Sequence, residues 1–233
     1  MVLSSFWCNL LISTLSSVRN FASKLDKGSS NRKTSTSRTK ARPIATLWRW
    51  PPDSAAGLRS KSDYPEWYQH EHSNPGYLEK AVYGVPELHR SELREATLVT
   101  GAGCLATATI LGLYPLFKSE LVKTQHIFIE AKVGSSAAGN KFGLGSHHPE
   151  RSGALRSFQP TRHRHTAEVQ QELSINGANP TIHFSATSTD AVRGVLSTAH
   201  LILNEDLNEK TIWKLYRQAY QTEPFIRIVK ERS

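Results

Sequence analysis

A chain of 233 residues with 38% hydrophobic content has room for one large domain, or for a domain and a tail. Its two cysteines, Cys8 and Cys104, exclude a disulfide framework, and no apolar run reaches the ~20 residues that a membrane-spanning helix needs. The net charge of +9 is uneven. Residues 1–62 hold eleven of the 29 Lys and Arg but only Asp26 and Asp53 of the 20 acids, which leaves 63–233 with eighteen of each sign. The basic balance therefore identifies no partner for the larger part, and nothing there points to nucleic acid.

In chain order, residues 1–62 are rich in Ser, Thr, Lys and Arg and lose any sustained period after Leu25. They read as an irregular basic segment rather than a domain. An organellar transit peptide, an anion-binding tail and a stretch never selected to fold, such as an out-of-frame start, all fit that texture. Cys8 reads as a small hydrophobe. From Asp63 the texture becomes that of a folded domain. A short polar helix is expected after Ser91 and a strand over 96–100, with no strand over 63–95. A buried helix follows over 105–118, then a strand over 126–134 and a long Gly/Ser/His loop over 134–153. A helix over 166–173, strands over 180–188 and 192–203, a helix capped by Asn208 and a last strand, PFIRIVK (224–230), complete the pattern. This is an α+β class: a mixed or antiparallel sheet covered by helices.

The stretch TLVTGAGCLATATILGLYPL, 97–116, admits three readings. As G-x-G-x-x-A after a strand it is a dinucleotide cradle, with Glu130 as the ribose acid. As a thiol at a helix N-terminus, Cys104 is a nucleophile, because unpaired amides there favour thiolate. As a small buried hydrophobe it is an inert core thiol. Pattern alone leaves all three open. SHHPER supplies His147, His148, Glu150 and Arg151, and TRHRHTAE supplies Arg162, His163, Arg164, His165 and Glu168. Interleaved arginines oppose a metal ion and suit an anionic substrate, through forked contacts to phosphate or carboxylate. A solvated charged loop is the plain alternative. GSSAAGNKFG (134–143), with Gly134, Ser135, Ser136 and Gly139, could wrap a phosphate in backbone amides, although it lacks the G-K-[ST] of a P-loop. Arg193, among apolar and small residues of the 192–203 strand, needs a partner, either a structural acid or a substrate carboxylate.

YPEWYQHEH, YLEKAVYGVPELHR, GAGCLATATILGLYPL, KVGSSAAGNKFGLGSHHPERSGALRSFQPTRHRHTAEVQQEL and VRGVLSTAH with PFIRIVKE, spread over 63–231, resemble the N-acetyl-γ-glutamyl-phosphate reductase family. The resemblance is to its archaeal branch acting on aminoadipyl or glutamyl phosphate held on an acidic amino-group carrier protein. It implies a C-terminal semialdehyde-dehydrogenase-type domain over 63–233 that binds substrate and forms a homo-oligomer. It implies an NADPH-dependent cytoplasmic enzyme of arginine or lysine biosynthesis, with Cys104 as nucleophile and His163 as acid/base, His165 being the second choice. Arg162, Arg164 and Arg193 would hold phosphate and carboxylate groups, with His165, His147 and His148 beside the substrate, and Gly134, Ser135, Ser136 and Gly139 would touch NADP. Ala102 stands where the family has proline. Members begin with a nucleotide-binding half that 1–62 does not resemble and continue for roughly ~100 residues past FIRIVKE, as a two-domain enzyme would. The expectation is a substrate and dimerisation half, preceded by an unrelated segment and without turnover alone. The alternative is a non-catalytic dimerisation module.

Overall fold

The structure is a computed structural model that describes the backbone of 10–12 and residues 58–139, 143 and 146–229. Apart from 10–12 and 58–62, the basic N-terminal segment, Cys8 included, lies outside the described residues. In chain order the elements are β1 (Leu10–Ile12), α1 (Asp63–Tyr68), β2 (Ala81–Tyr83), α2 (Pro86–Glu95), β3 (Leu98–Thr100), α3 (Cys104–Lys118) and β4 (Ile127–Val133). Then come a 3-10 turn (Ser135–Ala138), α4 (His148–Arg151), β5 (Arg156–Gln159), α5 (His165–Leu173), β6 (Ile182–Ser188), β7 (Val195–His200) and α6 (Glu209–Tyr220).

The large sheet runs β1-β7-β4-β6-β5. β4 is parallel to β6 and antiparallel to β7, and the other pairs are antiparallel, so the sheet is mixed and the class is α+β. Period-two burial along β4 turns Ile127, Ile129, Ala131 and Val133 inward. On that side α3 packs on β7 and β4, and α5 packs on α3 and β6. α3 is buried almost all round, which suits a helix at the centre of a core. Its Pro115 lacks an N–H and cannot bond the Leu111 carbonyl one turn back. Tyr220 of α6 donates to that carbonyl at 2.7 Å instead, and Tyr216 donates to the Gly112 carbonyl beside it. α6 begins where Asn208 Oδ1 accepts from Thr211 N at 2.9 Å.

Several expectations are corrected. Residues 63–95 do contain a strand: β2 pairs in parallel with β3 across α2. A run of three residues carries too little periodicity to be read in sequence. The polar helix begins at Pro86, whose fixed φ suits a first turn. The strand over 192–203 is confined to Val195–His200, so Arg193 lies in the preceding turn and is exposed. PFIRIVK is a turn and irregular chain as far as Val229. Its alternation still leans Ile226 and Ile228 on the core, but no described strand pairs with it, and alternation encodes a buried face rather than a bonded edge. The 134–153 segment holds a 3-10 turn, a one-turn helix and a buried Arg151. Packed structure already includes Leu58, 1% exposed beside Tyr64, Leu78 and Ala167.

Candidate active site

Cys104 is the first residue of α3, with Gly103 as an extended cap. The Gly103 amide donates to Glu168 Oε2 at 2.9 Å, and the Tyr83 hydroxyl donates to the same oxygen at 2.7 Å. A buried carboxylate on α5 thus ties the thiol's turn to β2. The other oxygen, Oε1, stands 3.8 Å from His165 Nε2. The imidazole of His165 lies flat against the turn: a Cβ placed on Gly103 would be 2.3 Å from Nε2. Glycine is required there by the ring, not by the backbone, whose φ of −66° any residue adopts.

His163 and His165 are 9% and 5% exposed, with rings edge to face at 4.6 Å. His163 Nδ1 accepts the His165 backbone N–H at 3.2 Å, which leaves Nε2 as the atom able to exchange a proton. Burial, reinforced by Arg164, holds His163 down at about 4. Burial, with His163 and Arg164, holds His165 at about 3. Both rings are therefore neutral at pH 7. Burial also pushes the Cys104 thiol up and outweighs the hydrogen bonds from the Leu105 and Cys104 amides; the Glu168 charge adds to the rise and Arg164 opposes it. The expectation that a helix N-terminus by itself yields thiolate is corrected by this balance. Burial raises Glu168 as well, against its hydrogen bonds from Tyr83 and Gly103.

His163 lines a cleft of about 910 Å³ with Arg162, Arg164, Phe158, Thr161 and, across from them, Trp67 and Glu66 of α1. Arg162 and Arg164 are exposed and alternate with the two buried histidines. The arginines and histidines of this wall stand out in sequence as TRHRHTAE; Glu168 stands in the same motif with no local sign that it is the hub. α1 was not read as the opposing wall; the aromatic run YPEWY is the available signal.

The remaining candidates belong to a second locus. Ser135 Oγ and His148 Nδ1 are 3.2 Å apart. Arg151 donates to the Val133 and Thr189 carbonyls at 2.6 and 3.2 Å. His147 precedes α4. The amides of Gly134, Ser135, Ser136 and Gly139 donate to the carbonyls of Gly194, Ala191, Val192 and Ser136, so the phosphate cradle expected of them is not open. Gly103, too, spends its amide on Glu168. Among the described residues no three His, Cys, Asp or Glu converge on a metal position, and no helix is long and apolar enough to cross a membrane.

Comparison with known proteins gives a consistent picture. The family described as semialdehyde dehydrogenase, dimerisation domain, matches residues 104–233. A Thermomicrobium roseum protein named for LysW-L-2-aminoadipate 6-phosphate reduction is 51% identical over 177 residues, 76% of this chain and 50% of that protein. The LysW-L-2-aminoadipate 6-phosphate reductase of Deinococcus radiodurans is 47% identical over 180 residues, again 76% of this chain and 51% of that protein. The chain spans about half the length of the curated relatives it matches. A crystal structure of aspartate semialdehyde dehydrogenase II from Vibrio cholerae overlaps at a TM-score of 0.47 and 11% identity, over 60% of this chain and 49% of that one, too loosely to bear on the fold.

Proposed function

The chain belongs to the semialdehyde dehydrogenase dimerisation-domain family, and from that premise we propose that it is the thiol-bearing half of an acyl-phosphate reductase of lysine or arginine biosynthesis, cytoplasmic and homo-oligomeric. The relatives' names favour a LysW-linked aminoadipyl or glutamyl phosphate over free N-acetylglutamyl phosphate. The observation that carries the reading is the turn at Gly103–Cys104 held by Glu168 and His165, whose ring meets that of His163 on the wall of a cleft it shares with Arg162 and Arg164.

In this reading the two arginines hold the phosphate dianion. Cys104 Sγ forms a bond to the acyl carbon and the carbon–oxygen bond to phosphate breaks. The thiol proton ends on the leaving phosphate oxygen, to which His163 donates a hydrogen bond through Nε2–H, so the step ends as a thioester and hydrogen phosphate. NADPH would supply the hydride that converts the thioester to a semialdehyde. No part of that step is assigned to residues of this chain. Roles for Arg193, His147 and His148 rest on the resemblance alone.

The test is single-turnover acylation of the 233-residue chain by N-acetylglutamyl phosphate or its LysW-linked equivalent, followed by intact mass and phosphate release. The expected result is one acyl group and one phosphate per chain, lost in C104S and slowed at least about tenfold in H163A, which removes the donor to the leaving oxygen. Acylation that survives in C104S overturns the nucleophile. The second reading is a module that dimerises without turnover. That reading expects no NADPH-dependent aldehyde from the chain alone, and aldehyde formation defeats it.

A further inference from the structure

α2 is broken in its middle. His89 carries φ −118° and ψ 30°, outside the helical range, and at that break its ring reaches α5. Nε2 meets Glu172 Oε2 at 2.5 Å, and Nδ1 meets Glu92 Oε1 at 3.2 Å. An ionised carboxylate only accepts, so both ring nitrogens carry a hydrogen and His89 in this arrangement is an imidazolium. Glu172 is 4% exposed. Gln171 Nε2 donates to its other oxygen at 2.9 Å, and Arg59 reaches that oxygen at 3.6 Å. Glu172 stands one turn after Glu168 on α5, the carboxylate that holds the Gly103 amide.

We infer that His89 is a positioning residue for the thiol: its charged ring latches α2 onto α5, and the latch keeps Tyr83 and Glu168 aligned with the Gly103–Cys104 turn until alkaline pH removes the ring's proton. The inference rests on the reading of Cys104 as nucleophile and adds what holds its turn in place. The path is short. β2 runs into α2 through Gly84 and Val85, so a shift of α2 pulls on Tyr83. The Tyr83 and His89 rings meet edge to face at 6.4 Å. Tyr83 is 1% exposed and donates to Glu168 Oε2, the oxygen that also accepts the Gly103 amide. The Gly84 amide donates to the Thr100 carbonyl at 3.0 Å, and Thr100 opens into the 101–103 turn. His89 acts through these neighbours rather than on the reacting atoms.

Four titratable or charged groups face the ring. Its own helix gives Glu92, α5 gives Glu172, and β2 gives the Tyr83 phenol. The segment before α1 gives Arg59, whose Nη2 is 3.5 Å from Nε2. The hydrogen bond to Glu172 raises His89 above the ordinary imidazole value, against burial; the Glu172 charge and Glu92 add to the rise and Arg59 opposes it. Burial works to raise Glu172, yet His89 and Gln171 hold its carboxyl below the usual range, so it stays ionised wherever the ring titrates. The folded value of His89 lies above the unfolded one. The latch is therefore whole below about pH 6.5 and is lost as pH rises through the folded value. A neutral ring has one hydrogen for two carboxylates.

The experiment compares the 233-residue chain with H89Q and H89R between pH 6.5 and 9.5, by acylation rate and by urea unfolding, with circular dichroism to confirm folding. Taking the ratio of wild type to H89Q cancels the ionisation of the thiol, which both share. That ratio should fall from about tenfold at pH 6.5, the scale of a small misplacement at a reacting group, to about one at pH 9.5. H89R keeps a permanent charge and two donors, so its rate should match wild type at pH 6.5 and exceed it at pH 9.5. The urea midpoint of wild type should likewise converge on that of H89Q as pH rises. A ratio that stays constant, or an H89R profile that parallels H89Q, overturns the inference. A chain that acylates at no pH defeats the nucleophile reading instead. Midpoints that fail to converge overturn the latch whatever the acylation shows.

Discussion

The turns at 101–103 and at 134–139 both follow a strand, are rich in glycine and look in sequence like phosphate cradles. Their amides meet different fates. The second turn is satisfied by the backbone of 191–194, with Arg151 holding its base to β4 and the segment after β6. In the first, the Gly103 amide is held by one side chain, Glu168, from an element more than sixty residues away. A turn closed on backbone is fixed geometry. A turn closed on an ionisable side chain can have its charge and its neighbour's reactivity tuned, which is where a reacting thiol belongs.

Alanine substitution sharpens the contrast most. A Cβ at Gly134 would stand 2.8 Å from the Val192 carbonyl and the Arg193 amide. Backbone cannot swing aside, so G134A should cost about 3 kcal/mol in urea unfolding, at the upper end of overpacking. At Gly103 the obstacle is the His165 ring. G103A should cost about 2 kcal/mol alone and nearly nothing on an H165A background, a coupling that only contacting side chains show. Equal costs in both backgrounds would break the comparison.

Acid comes next. His163 and His165 have folded values of about 4 and about 3, below the unfolded value of about 6.5. Between those limits the unfolded chain binds more protons, so stability falls as pH falls. The slope from this pair is at most about 1.4 kcal/mol per pH unit for each ring. Thermal unfolding from pH 7 to 4.5 checks it, and H163Q should reduce the slope.

The smallest effect concerns the thiol. The Glu168 charge contributes to the rise of Cys104, so on a C8S background E168Q should shift thiolate ultraviolet absorbance to lower pH, and C104S should remove it. R151M, which loosens only the other turn, should leave the titration where it was. A shift in R151M would mean that the two loci are one.

The legibility of the molecule follows the range of its interactions. The α3 helix, the β4 alternation and the Asn208 cap were readable because each depends on neighbours within one or two turns. β2, β5 and the shortened β7 were not: three to six residues carry little periodicity, and a strand exists only where a partner edge is offered. PFIRIVK shows the converse, with alternation and a buried face but no described edge to bond. In the site, Cys104 and the interleaved histidines and arginines were visible as residue types. Glu168 stood in the same motif without a sign that it would bind a backbone amide from the other side of the core.

By itself, then, the sequence determined the α+β class, the neutral charge of 63–233, the thiol at the head of a buried helix and the family resemblance, because composition, period and ordered motifs are properties of the chain. Only the tertiary structure decided which amides were spent and on what, that burial keeps the thiol protonated and both site histidines neutral, and that a histidine of α2 lies between two carboxylates, one of them on α5. Desolvation and hydrogen-bond satisfaction are set by what the fold brings alongside, and that is not written locally.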